Sequence, residues 1–308
     1  REINHHHKPI IMKRLFLYTL AFVAAAASLT SCSEDDLSSE SIVTVDKVSY
    51  TPFDYWLRVN YINTYNIDFK YRFEDIETDH NYYLIPAQYE QSVELAHIVK
   101  YACLEAFDEV AGVDFTRANF PKCIYLVGNW EYKNNGTFVL GTAEGGKKIF
   151  LAGVNHLDQY KNNVVMLNKY YLKTIYHEFT HILNQTKDYS ADYKLITATT
   201  YVAGSWSESP FNVDYLTRGY ISAYSQDSHG EDFAEMLSLY VTNSQEQWDA
   251  WMEEAGSEGS ALIDSKLSLV RQYMEDAWGI DIDELRSVVL RREADVASGK
   301  IDLSDLTV

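Results

Sequence analysis

Near the middle of the 308-residue chain, His177-Glu178-Phe179-Thr180-His181 is the segment whose residue types and spacing bear most directly on chemistry. Two imidazoles four positions apart sit about one helical turn apart, so both can reach a single cation. Leu172, Ile175, Tyr176, Phe179 and Leu183 recur at helical spacing and form an apolar stripe. At about 100° per residue, His177 and His181 fall on the face opposite that stripe. Glu178 lies a further step round, where it can touch a water without ligating the ion. The pattern predicts one zinc ion, Zn2+, that activates water for hydrolysis, with Glu178 as the general base.

A catalytic zinc needs a third protein ligand and an open coordination position. The metzincin continuation would place Gly at 184 and His at 187; the chain has Asn184 and Lys187, so the third ligand comes from elsewhere. The segment Glu231-Asp232-Phe233-Ala234-Glu235 opens another apolar helix, 50 residues after His181. Acids in such a helix are costly to bury without a partner. Glu231 is therefore expected as the third metal ligand. Glu235 is expected to accept a hydrogen bond from the outer nitrogen of a zinc-bound histidine and so fix its tautomer. His229 and Asp232 are the rival ligands.

The elements that must hold these residues can be read from periodicity. Helical spacing runs from Pro52 to about Ile62, from Gln88 to Val110 with a stop at Gly112, and through Leu167–Thr186. Further helices are expected over 192–199, 231–241, 245–255, 261–278 and 282–297. Strands are expected over 66–73, 123–128, 138–140 and 148–152. A mixed sheet followed by helices is an α+β arrangement. The stretch Gly141–Lys148 nearly spells a P-loop, but Lys148 stands where Ser or Thr is needed and the glycines join two strands; it reads as a hairpin loop. Cys103 falls on a helix and Cys123 at a strand start, and sequence leaves open whether they are bridged.

Tyr224 precedes Glu231 by seven residues. His-Glu-x-x-His followed by Tyr, six residues and then Glu-x-x-x-Glu resembles the gluzincin proteases, among them the protease domain of anthrax lethal factor. The resemblance implies a zincin-like fold, with a small mixed sheet, an active-site helix and a mostly helical C-terminal part. It also implies that Glu231 binds zinc and that Tyr224 helps to stabilise the oxyanion. In the usual zincin layout a strand walls the cleft, and Phe150, Leu151 and Ala152 are expected there, where an extended peptide could add as another strand.

The beginning of the chain bears on location. Met12-Lys13-Arg14 is a basic start, followed by an apolar run from Leu15 to Leu29 and then Leu29-Thr30-Ser31-Cys32. This resembles a bacterial lipobox, which implies lipidation at Cys32 and membrane attachment through that anchor. Residues 1–11 look like sequence upstream of a start at Met12. Ser33-Glu34-Asp35-Asp36 resembles an export signal for the outer leaflet of some Gram-negative outer membranes, with the periplasmic face as the alternative. The expected organisation is a leader over 1–32, a tether over 33–47, an α/β lobe over 48–200 and a helical lobe over 201–308 that carries the third ligand.

Taken with HEFTH and EDFAE, the lipobox and the early segment PFDYWLRVNYINTYNIDFKYRF resemble zinc metallohydrolase lipoproteins associated with TonB-dependent substrate import. The implied partners are a peptide or protein substrate and a TonB-dependent importer with its surface lipoprotein. With 26 Lys+Arg against 45 Asp+Glu and a formal net charge of −19, no nucleic-acid partner is expected. The combined expectation is an extracytoplasmic, membrane-anchored zinc metallopeptidase. The alternatives are a weakly active or non-catalytic zinc-binding subunit of an importer, and hydrolysis of a non-peptide bond such as a glycan amide.

Overall fold

Thr51 and Pro52 set the first helix. Thr51 Oγ1 accepts the amide of Asp54 at 3.3 Å, while the Asp54 carboxylate accepts the amide of Thr51 at 2.6 Å. This reciprocal cap, with Pro at the first position, starts helix α1 (Pro52–Leu57), which continues as π-helical turns over Arg58–Asn63. In the computed structural model, the residues described are 49–77, 82–132, 138–139, 141–144 and 148–308. The expected leader, the lipidation site Cys32 and the tether lie outside them.

The expected strand over 66–73 is reduced to β1 (Asp68–Lys70). Helix α2 (Tyr89–Val99) runs on through a π-helical segment into α3 (Glu105–Ala111) and ends at Gly112, whose φ of 82° only glycine adopts readily. A short helix α4 (Val113–Asn119) leads to β2 (Cys123–Leu126). Strands β3 (Glu131–Tyr132) and β4 (Phe138–Val139) pair with each other, and β5 (Gly141–Glu144) and β6 (Lys148–Leu151) complete the main sheet.

The main sheet has the order β1-β2-β6-β5. The first three strands are parallel, in the register Phe69 to Ile124 and Ile124 to Ile149. β5 is antiparallel to β6 and forms the outer edge. The stretch expected as a hairpin loop therefore contains a strand of its own, and Phe138–Val139 pairs with β3 instead of β6. Backbone pairing with β6 overrides the weak strand preference of Gly141-Thr142-Ala143-Glu144.

Beyond the sheet come α5 (Leu157–Tyr160), α6 (Val164–Leu167) and, after a π-helical segment at Asn168–Leu172, α7 (Lys173–Thr186). Helices α8 (Ala191–Ile196), α9 (His229–Thr242), α10 (Gln245–Trp278) and α11 (Ile282–Ala297) follow. The two helices expected over 245–255 and 261–278 are both present within α10 and meet at a non-helical break at Gly256, where φ is 66° and ψ is −177°. None of the described helices is long and apolar enough to cross a membrane.

Residues Tyr50–Val308 form one compact unit, in which α7 packs against α9. Phe179 anchors the buried face of α7 among Phe107, Phe115 and Phe120, with ring centroids 4.9, 6.1 and 4.8 Å away. Tyr176 donates its hydroxyl to the carbonyl of Ala102 at 2.6 Å. At the entry to α7, the side-chain Nδ2 of Asn168 donates to the carbonyl of Thr242 at 2.6 Å and to Glu293 Oε2 at 2.9 Å, which ties the segment to α9 and α11. Cys103 and Cys123 are both unbridged. The result is an α+β fold, mostly helical, with a small mixed sheet.

Candidate metal centre

Helix α7 presents its two flanks to different surroundings. Ile175, Tyr176, Phe179 and Leu183 are buried in the core. One turn apart on the other side, His177 and His181 turn toward the first turn of α9. That helix starts at Ser228, whose side chain accepts the amide of Glu231 at 3.3 Å. The cap fixes Glu231 in the first turn, opposite the histidines.

Three ligand atoms converge here. His177 Nε2 and His181 Nε2 are 3.0 Å apart, and Glu231 Oε2 lies 3.0 Å from the first and 3.2 Å from the second. Ligands held 2.0–2.1 Å from a tetrahedral zinc are separated by roughly 3.3 Å, so these spacings suit a zinc-sized cation. Among the described residues this is the one grouping of three or more such side chains close enough to hold a metal. His181 and Glu231 retain side-chain exposures of 21% and 22%, so the open side faces solvent.

The surroundings support this arrangement electrically. Burial alone would raise the Glu231 carboxyl, but His177 and His181 override it and hold it well below the usual carboxylate range. Burial would likewise lower His177, yet Glu231 and Glu235 raise it to about 9 when no metal is present. Glu235 is buried, which would raise its carboxyl; Lys173 and His177 hold it down to about 2. His177 Nδ1 stands 2.7 Å from Glu235 Oε1. Lys173 pairs with the same oxygen, and Ser222 donates to Glu235 Oε2 at 2.7 Å.

Glu178 lies next to His177 and is 9% exposed; neither its carboxylate nor the Tyr224 hydroxyl has a hydrogen-bond partner among the described residues. The Tyr224 ring is 6.0 Å from that of His177 and 5.1 Å from that of Trp206. Burial, followed by the charges of Glu231, Asp227, Glu235 and Glu178, pushes the Tyr224 hydroxyl up, so it keeps its proton. Such a group can donate to a developing oxyanion, while a carboxylate with no internal partner is available to take a proton.

The structure thus brings together His177, Glu178, His181, Glu231, Glu235 and Tyr224. The rival ligands point elsewhere. His229 Nδ1 is 2.7 Å from the Tyr189 hydroxyl, and Asp232 pairs with Lys266 at 2.6 Å on the opposite flank of α9. The expected cleft wall requires correction. Phe150 and Leu151 lie in β6, which is hydrogen-bonded on both sides by β2 and β5, and Ala152 follows it into the core. No strand can add there, because its backbone groups are already paired; among the described residues the edge strands of this sheet are β1 and β5.

Three contributors were not read from sequence. Lys173 precedes His177 by four residues, a spacing that places it on the same face and could have pointed to it. Ser222 reaches the site from a bend and Trp206 from the 3-10 turn Ala203–Ser207, both too short for periodicity to mark them.

Residues 46–283 match the model of a family described as "putative zinc-binding metallo-peptidase". A crystal structure of a "putative zinc-binding metallo-peptidase" from Bacteroides caccae ATCC 43185 is similar at 42% identity, with a TM-score of 0.73, over 87% of this chain and 100% of that one. Among curated proteins there is no match. With a family match over most of its length, the chain belongs to this family, described as putative zinc-binding metallo-peptidases.

Proposed function

We propose that the protein is a gluzincin-type zinc peptidase that cuts peptide bonds on the extracytoplasmic side of a membrane. The observation that carries this reading is the convergence of His177, His181 and Glu231 within 4.8 Å, with the Glu178 carboxylate, which has no hydrogen-bond partner among the described residues, alongside. Zinc bound there supplies Lewis acidity and makes a water acidic near pH 7. Glu178 takes the proton of the attacking water and passes it to the departing amine. Tyr224, held protonated, donates to the oxyanion. Glu235 orients His177 through its outer nitrogen. An extended substrate lies along the free edge of β5, which packs against α7 as in a zincin-like cleft.

The same reading places a lipid anchor at Cys32, the outer membrane as the location and a TonB-dependent importer with its surface lipoprotein as partners. It rests on the sequence resemblances alone. Protease accessibility in intact cells tests it: cleavage of the protein from outside supports exposure on the surface, and full protection places it on the periplasmic face.

The enzymatic reading is tested by digesting a mixed peptide library with zinc-loaded protein and with Glu178→Gln. The substitution is expected to cut product formation by on the order of 10²–10⁴-fold with zinc content unchanged. Equal product from both forms would reject the role of Glu178. Full zinc occupancy without any cleavage would favour a non-catalytic subunit of an importer.

A further inference from the structure

We propose that Ser222 is a positioning residue that couples occupancy of the metal centre to the turn carrying Tyr224, acting through the Glu235 carboxylate. The inference rests on the zinc-peptidase reading above.

Glu235 is 2% exposed, and its two oxygens serve different partners. Oε1 faces His177 Nδ1 at 2.7 Å and also pairs with the Lys173 ammonium. Oε2 accepts the Ser222 hydroxyl at 2.7 Å. The Ser222 oxygen in turn accepts the backbone N–H of Ser225 at 3.1 Å and lies 3.1 Å from the Ser225 hydroxyl. Ser225 follows Tyr224 in the single 3-10 turn Tyr224–Gln226. An unbroken path of polar contacts therefore runs from a metal-binding imidazole to the backbone beside the proposed oxyanion donor.

The far end of the turn is fixed separately. The amide of Val202 donates to the carbonyl of Gln226 at 2.8 Å, and Gln226 Nε2 donates to the carbonyl of Phe211 at 2.7 Å. Near the metal centre, Ser222 supplies the tie to α9. A serine suits that position because one hydroxyl can donate to a carboxylate and accept an amide together. A cation on His177 Nε2 fixes the ring. The ring then fixes Glu235 Oε1, and because the carboxylate is rigid, Oε2 and Ser222 are fixed with it. Loss of the cation relaxes every link in turn.

Hydrogen exchange over residues 220–228 tests the coupling, measured on the full chain with and without zinc, beside a chelator competition that reads zinc affinity. In the wild-type protein, zinc is expected to slow exchange at this turn by about tenfold. In Ser222→Ala that zinc-dependent slowing is expected to vanish, with affinity changed by less than about threefold, because His177 keeps its Glu235 contact. Ser222→Thr is expected to restore it. A merely structural serine would speed exchange equally in both metal states, and that result overturns the proposal. So does wild-type protein that binds zinc and shows no slowing, a comparison that needs no substitution and so survives a misfolded variant. Failure to bind zinc at all overturns the proposal and the peptidase reading together, whereas bound zinc without slowing overturns the coupling alone.

Discussion

Helix α9 carries three acids within five residues, and its two flanks neutralise them in different ways. On the flank facing α7, Glu231 meets two imidazoles, and Glu235 meets an imidazole and Lys173. On the flank facing α10, Asp232 meets Lys266 at 2.6 Å, and both side chains are 0% exposed. Tyr201 donates to the same Asp232 oxygen at 2.9 Å. Lys266 also donates to the carbonyl of Gly219 at 2.8 Å and lies 4.0 Å over the Tyr220 ring. Burial pushes the Asp232 carboxyl up to about 6, still short of neutralising it at pH 7. The sealed flank thus has its cation inside the chain. The open flank leaves Glu231 facing two imidazoles, with access to solvent. Adjacent acids on one turn can therefore belong to a structural pair and to a metal site, and the partner decides which.

The largest expected effect lies on the sealed flank. Lys266→Met leaves a buried carboxylate without its countercharge and is expected to cost about 3–5 kcal/mol in chemical denaturation of the zinc-free protein. Restoring most of that loss by adding Asp232→Asn would sharpen the contrast. A negligible cost would break it. On the open flank the stabilisation should come from outside: zinc at a free concentration 100 times its dissociation constant is expected to add about 2.7 kcal/mol, and to add nothing in Glu231→Gln. Thermal melts with and without zinc read both arms.

Glu235→Gln should weaken zinc binding by about 10–100-fold while leaving the zinc-free fold in place, as chelator competition would report. The dependence on pH is a separate test. His177 is raised to about 9 in the zinc-free protein, above its unfolded value near 6.5. Its charged form therefore stabilises the zinc-free fold fully below about pH 6.5, and that contribution fades as pH rises through about 9. Zinc must displace the same proton, so its apparent affinity should rise by up to about tenfold per pH unit below 9. An affinity flat from pH 6.5 to 9 would remove His177 from the ligand set.

What the sequence disclosed follows the same division. The convergence of His177, His181 and Glu231 is legible because one-turn spacing and an acid in an apolar helix are local signals. Asp232 was weighed as a rival ligand because its true partner, Lys266, lies on another helix and no local pattern links them. Helix α11 was read over its observed span, Ile282–Ala297, since its apolar period is clean and Asp281 caps it. The β5 strand was hidden in a glycine-bearing stretch whose pairing is set by β6. Placement of Phe150–Ala152 at a wall failed because strand order depends on crossovers, which composition does not encode.

The contacts of Asn168 have a mechanical consequence. The pairs Asn168 with Thr242, Lys173 with Glu235 and His181 with Glu231 show that α7 and α9 run antiparallel. Asn168 thus works as a pivot well away from the ligands, about 14–20 Å along the helix axis. A tilt of about 5° at such a lever would displace the imidazoles by roughly 1.5 Å, enough to spoil coordination. The accuracy of the cage is therefore governed from the end of the helix pair where no reaction occurs.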